Sequence, residues 1–230
     1  MVVVADVVVV VGRIRYEATR SDFDDATPPL IPSLMRQHAV AGLARARQCP
    51  ITSSSTVTAT GGRPSSSSQG HGTVAEEVPD TVHDTCIVNF YPIGDHRIEA
   101  VSGRLGVHVD KDEDVAVRQR GDPIVSLSIG DAADFAYGSV HFDFDPKSGA
   151  PVVPPPVRPS GSVEQQQKAA EEQPQVVRLE SGDLLVFGGA ARMVHHGVAG
   201  IVAGSAPPWL RMAPGRLNFT FRSTGKGEAY

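Results

Sequence analysis

Between Cys86 and Phe221 the apolar residues fall into short runs, each three to six residues long and closed by turn residues. Such runs are too short for ordinary helices and are rich in β-branched and aromatic residues, so they predict strands. The expected strands are Cys86–Tyr91, Leu105–Asp110, Ile124–Ile129, Phe135–Tyr137, Val140–Phe144, Val176–Leu179, Leu184–Phe187, Val198–Val202 and Leu217–Phe221. Polar and apolar residues alternate along Val140–Phe144 and Leu217–Phe221 with a period of two, the repeat of a strand. Gly130, Gly138, Gly182, Gly188 and Gly189 break the runs at strand spacing. The pattern predicts an all-β core, a sandwich or barrel closed as a jelly roll (a double-stranded β-helix).

Upstream the material changes. No acidic residue occurs between Asp25 and Glu76, whereas Arg36, Arg45, Arg47 and Arg63 do, and Ser53–Ser55 and Ser65–Ser68 lie in a Ser/Thr/Gly tract. A tract with so little to bury cannot offset its ordering entropy. Residues 1–82 are therefore expected to form a low-complexity, disordered N-terminal region with one short helix over Leu34–Ala46, and residues 83–226 the folded domain. A second lean stretch, 146–175, holds seven prolines and Gln165–Gln167 and reads as a flexible surface insert.

The formal net charge is −5, of which residues 81–230 carry −4, so bulk attraction to a polyanion is not how this chain works. Of its 21 cations 17 are Arg, which suits planar, bidentate recognition of particular anions. Two cysteines, Cys49 and Cys86, make no disulfide framework and point to a reducing, intracellular compartment. Nucleus or cytoplasm is expected, with chloroplast or mitochondrion as the alternative that an Arg- and Ser-rich, acid-poor stretch suggests. The apolar run Val2–Val11 is interrupted by Asp6 and falls short of the ~20 residues that span a bilayer, so no membrane association is expected. A monomer is expected.

Two triplets can carry metal chemistry. His108-Val-Asp110 and His141-Phe-Asp143 each place an imidazole and a carboxylate two residues apart. On a strand such residues share a face, which supplies two-thirds of a two-His, one-carboxylate iron site. Spacing alone does not choose between them. Farther on, Arg216 and Arg222 stand on one strand face with Asn218 and Thr220, their Cα atoms about 20 Å apart if the strand is flat, too far to share one carboxylate.

Five blocks in order make the choice. They are Asn89-Phe-Tyr91; Gly103-Arg-Leu-Gly-Val-His108-Val-Asp110-Lys-Asp112-Glu113; Pro123 to Gly130; Ser181 to Gly189 followed by Arg192, His195, His196 and Gly197; and Arg216 to Arg222. Taken together they resemble the AlkB family of iron(II)- and 2-oxoglutarate-dependent dioxygenases, over roughly Cys86 to Arg222. The resemblance implies Fe(II) held by His108, Asp110 and His196, the last being the His immediately before Gly. Alternation allows only one of His195 and His196 to face the metal, and the resemblance favours His196. It implies that Arg216 and Tyr91 hold the distal carboxylate of 2-oxoglutarate, a bidentate task suited to Arg. Arg222 and Asn89 then lie toward the iron, Asn218 supports the pocket, and Asp112 contacts the substrate base. The implied reaction uses O2 to hydroxylate an N-methyl group, releasing formaldehyde, succinate and CO2. The implied partner is methylated DNA or RNA, with the base single-stranded or flipped out.

Two features depart from that family. Residues Pro92–Glu99 lengthen the connection between Tyr91 and His108, and residues 1–82 offer only Tyr16 and Phe23 as aromatic platforms for a base. The alternatives are therefore the same oxygenase chemistry on a protein or small molecule, or a non-catalytic jelly-roll module such as an inactive splice product.

Overall fold

The structure, a computed structural model, describes residues 31–48, 78–93, 103–153 and 173–225. In chain order the strands are β1 (Thr85–Pro92), β2 (Leu105–His108), β3 (Ile124–Gly130), β4 (Ala132–Gly138), β5 (Asp143–Phe144), β6 (Pro151–Val152), β7 (Gln175–Leu179), β8 (Leu184–Phe187), β9 (His195–Val202) and β10 (Gly215–Arg222). Eight of them make two four-stranded antiparallel sheets, ordered β1-β10-β3-β8 and β2-β9-β4-β7. From β7 on, successive strands cross from one sheet to the other, the winding of the expected jelly roll.

Apolar side chains from both sheets fill the space between them: Ile124, Leu185 and Phe187 from one, Ala133, Phe135, Tyr137, Leu179 and Val198 from the other. The first sheet is buried on its outer face as well. There Val125, Val186 and Phe221 pack against helix α1 (Ser33–Arg47), which offers Ala39, Leu43 and Ala46. With Gly42 these residues repeat at i, i+3, i+4 and i+7, one helical stripe. Arg45 and Arg47 fall in the last turn, where cations suit the helix dipole.

The structure alters several expectations. Residues 33–47 and Val78 lie in the region expected to be disordered, yet they complete a core cluster, because small residues let the helix approach the sheet closely. The strand expected over Val140–Phe144 shrinks to Asp143–Phe144. Asp145 accepts hydrogen bonds from the backbone of Lys147 and Ser148 and folds the chain back onto Pro151–Val152, so 146–153 closes a hairpin and does not belong to a flexible insert. A second helix, α2 (Val115–Arg120), was not expected. It ends at Gly121 in the left-handed region (φ 71°), where a Cβ would stand 2.7 Å from the Cα of Gly189. The apolar run Val2–Val11, both Ser clusters, Asp95–Glu99 and Gln165–Gln167 lie outside the described residues. No helix among the described residues is long and apolar enough to cross a membrane.

If α1 is part of the core, Leu43→Ala should destabilise the protein by about 2–5 kcal/mol, seen as a lower urea midpoint. An unchanged midpoint would show that the helix contributes nothing to folding.

Candidate active site

Register sets the centre of the site. On paired strands β2 and β9, His108 lies directly opposite His196, and their Nε2 atoms stand 2.8 Å apart. The approach depends on Gly197, where a Cβ would meet the Leu105 carbonyl oxygen at 2.6 Å and the Phe144 ring at 2.8 Å. Asp110 follows just past the end of β2, with Oδ1 3.7 Å from His108 Nε2 and Oδ2 4.0 Å from His196 Nε2. Together the three residues offer donor atoms within 4.8 Å of one another.

The hydrogen bonds behind these groups fix what they present. His108 Nδ1 donates to the Gly106 carbonyl at 2.8 Å and His196 Nδ1 to the Val194 carbonyl at 2.9 Å. A carbonyl only accepts, so each Nδ1 carries the hydrogen and each Nε2 presents a lone pair to the centre. Burial pushes both imidazoles below their ordinary pKa, His196 far below, so at neutral pH neither readily takes the proton that would reconcile two facing lone pairs. A divalent cation reconciles them. Cis ligands on a six-coordinate ion bonded at about 2.1 Å stand about 3 Å apart, and two imidazoles with one carboxylate form the facial set that suits non-haem Fe(II).

His195 faces away from this centre. Its ring packs edge-on against His141 at 5.4 Å, and His141 pairs with Asp143 at 3.6 Å on the exposed side. The second triplet is therefore a surface pair, and burial separates the two triplets where spacing did not.

Behind Asp110 lies a buried quartet of charges. Arg222 Nη2 donates to Asp110 Oδ2 at 2.7 Å and Nη1 to Glu113 Oε1 at 3.1 Å. Arg192 Nη2 meets Glu113 Oε2 at 2.8 Å, and its Nε and Nη1 hold the carbonyls of Asp122 and Asp110 at 3.0 Å each. Burial pushes the Asp110 carboxyl up, and the Arg222 guanidinium beside it pulls the other way. Sequence reasoning assigned no role to Glu113 or Arg192. Glu113 sits in an acidic run that reads as a solvated turn, and the signal available was an Arg three residues before the His pair.

Along the inner face of the first sheet the quartet gives way to a polar stripe. Arg216 is fully buried, its Nη2 donating to Ser128 Oγ at 2.9 Å and Asn218 Oδ1 at 2.8 Å. Ser126 and Thr220 extend the network from Asn218. Tyr91, directly across the β1–β10 ladder, sets its ring 5.5 Å from the guanidinium. Burial pushes Arg216 down to about 10, with Tyr91 opposing, so it remains a cation at neutral pH. Its Nε and Nη1 lack hydrogen-bond partners among the described residues, as does the buried Nδ2 of Asn89. A buried guanidinium with two free donors is built for a carboxylate. The structure thus brings His108, Asp110, His196 and Arg222 together at one end and Arg216, Asn218 and Tyr91 along the adjoining strands. Asp112 is exposed, outside both groups.

Comparison with known proteins fits this geometry. A family model described as the 2OG-Fe(II) oxygenase superfamily matches residues 12–222. The chain is 35% identical, over 90% of its length, to the DNA N(6)-methyladenine demethylase ALKBH1C of Arabidopsis thaliana, and spans 35% of that protein. It is 30% identical to the alpha-ketoglutarate-dependent dioxygenase AlkB of Escherichia coli over 65% of its own length and 50% of that protein's. The chain therefore spans between a third and a half of these curated relatives. A solved structure titled "The structure of OsALKBH1" aligns with a TM-score of 0.56 at 32% identity, over 90% of this chain and 72% of that one.

The close approach at residue 197 gives a direct test. Gly197→Ala should cost about 1–3 kcal/mol of stability and weaken Mn2+ binding in a calorimetric titration, because β2 must move off β9. Unchanged stability and affinity would contradict the contact.

Proposed function

The chain belongs to the 2OG-Fe(II) oxygenase superfamily, and from that membership we propose that it is an Fe(II)- and 2-oxoglutarate-dependent dioxygenase that demethylates N-methylated bases in DNA or RNA. One observation carries the reading. A two-His, one-carboxylate centre on one sheet and a buried arginine with two unmatched donors on the other share the interior of the same sandwich. His108, Asp110 and His196 would hold the metal, and Arg216, assisted by Tyr91, Asn218 and Asn89, would hold 2-oxoglutarate, with Arg222 toward the metal end. Bound together, Fe(II) and 2-oxoglutarate supply O2-dependent hydroxylation of a methyl C–H bond, with succinate and CO2 as co-products.

The chain's own residues do the rest. The carbonyls of Gly106 and Val194 keep both imidazoles in the ligating tautomer. Phe135 and Phe187, with ring centres 6.3 and 5.8 Å from His196, keep water from its buried side. Arg216 offers a guanidinium fork whose charge is weakly shielded in the dry interior, so a dianionic co-substrate would gain more there than in water.

The substrate reading rests on the relatives, of which ALKBH1C is named for action on DNA N(6)-methyladenine. We extend it to single-stranded or flipped-out bases, which avoid or meet the unstacking cost, with Asp112 on the substrate side. The free, half-buried Cys86 suits a reducing compartment, nucleus or cytoplasm or else an organelle, and we propose a monomer.

The test is formaldehyde and succinate release from N6-methyladenine oligonucleotides, single- and double-stranded, DNA and RNA. Methyl-dependent turnover that His108→Ala reduces at least about 10³-fold supports the proposal. Succinate formation indifferent to every oligonucleotide would move the substrate to a protein or small molecule, and no turnover by folded, metal-loaded protein would leave a binding module. Arg216→Met should raise KM for 2-oxoglutarate by about 10²-fold, from loss of a charge-assisted pair worth roughly 3 kcal/mol. An unchanged KM would remove Arg216 from the pocket.

A further inference from the structure

The buried quartet contains one member whose position is not explained by charge balance alone. A guanidinium meets a carboxylate most strongly side by side, with two parallel N–H···O bonds. Arg222 does not do so with Asp110. It divides its fork, Nη2 to Asp110 Oδ2 at 2.7 Å and Nη1 to Glu113 Oε1 at 3.1 Å. Glu113 is divided in turn, for its Oε2 forms an ion pair with Arg192 Nη2 at 2.8 Å, outside hydrogen-bond geometry. Arg192 is anchored to the backbone at Asp110 and Asp122 and so fixes where Glu113 stands. None of the four charges is exposed to any useful extent.

We infer that Glu113 is a positioning residue for the metal centre. By taking one arm of Arg222, it stops that arginine from closing as a two-pronged clamp on Asp110, and so leaves the aspartate able to offer an oxygen to a cation. Oδ1 is the oxygen nearer His108 Nε2, at 3.7 Å, while Oδ2 carries Arg222. With Glu113 neutralised, Nη1 loses its anion 3.1 Å away, and Asp110 is the other carboxylate that Arg222 touches among the described residues. The arginine would then compete with the metal for the ligand it now supports.

This inference rests on the metal-site reading above, and the experiment separates the two. Mn2+ alone is titrated into the folded full chain, with free Mn2+ followed by its paramagnetic resonance signal and folding by circular dichroism. Wild-type protein that binds no Mn2+ would overturn the metal-site reading. Given wild-type binding, Glu113→Gln should weaken affinity at least about tenfold without loss of fold, since Gln carries no charge to hold either arginine. The double variant Glu113→Gln/Arg222→Gln removes one charge of each sign and should bind Mn2+ more tightly than Glu113→Gln alone, because the competing fork is gone. A residue that mattered only for stability would lower the melting temperature and leave the affinity of folded protein unmoved. Should Glu113→Gln not fold, Glu113→Asp keeps the charge but is too short to reach both arginines, and the same weakening is expected. Unchanged affinity in the single variants, or a double variant no tighter than Glu113→Gln, would overturn the inference.

Discussion

Charges taken out of water must be paired, and this protein buries four beside one another in a sandwich interior and a fifth farther along the same strand. Asp110, Glu113, Arg192 and Arg222 pair with one another, two charges of each sign. Arg216 stands apart, its Nη2 bonded to a hydroxyl and an amide oxygen and none of its nitrogens to a carboxylate among the described residues. The imbalance assigns work to each end of the sheet. One end holds a carboxylate braced from behind by cations, and the other holds a cation waiting for an anion. The jelly roll supplies the rigidity that keeps such groups from relaxing toward water, since β10, which carries Arg216 and Arg222, is locked by ladders on both sides.

Much of this was legible in the sequence. Short apolar runs between turn residues gave most of the strands, because a sandwich strand is a local pattern. The boundaries of Leu184–Phe187 agree, and His195–Val202 and Gly215–Arg222 only lengthen the expected runs. The His-x-Asp pair at His108 was visible, but so was an equal pair at His141, and only burial tells a centre from a surface. Alternation along β9 said that only one of His195 and His196 could face the centre, and the resemblance, the His immediately before Gly197, said which. What stayed hidden depends on tertiary context. Glu113, with three other acids within five residues, looks solvated, and nothing local says that two arginines from distant strands and turns will close over it. Helix α1 was recognised as a helix, but that it docks on a sheet could not be read from its own Ala- and Arg-rich composition.

β1 and β10 also explain why the inner face is polar. On a sandwich strand that alternates apolar and polar residues, the polar side ordinarily meets solvent. Here Asn89 and Tyr91 face Asn218 and Arg216 across the ladder, inside the sandwich, while the apolar residues of β10 turn outward to meet α1 and its surroundings. The helix makes the inversion possible by covering part of the outer face. The second sheet keeps the usual arrangement, contributing Phe135 and Val198 to the shared core.

That inversion also bears on how the chain finds its fold. In most sandwich strands a slip of one residue exposes apolar groups, an error that water tolerates at moderate cost. In β10 the same slip would drive Leu217, Phe219 and Phe221 into the pocket and thrust two arginines beneath an apolar helix. Both surfaces would object at once. The strand that builds the pocket therefore proofreads its own alignment, and a chain mispaired there has little to hold it long enough to persist.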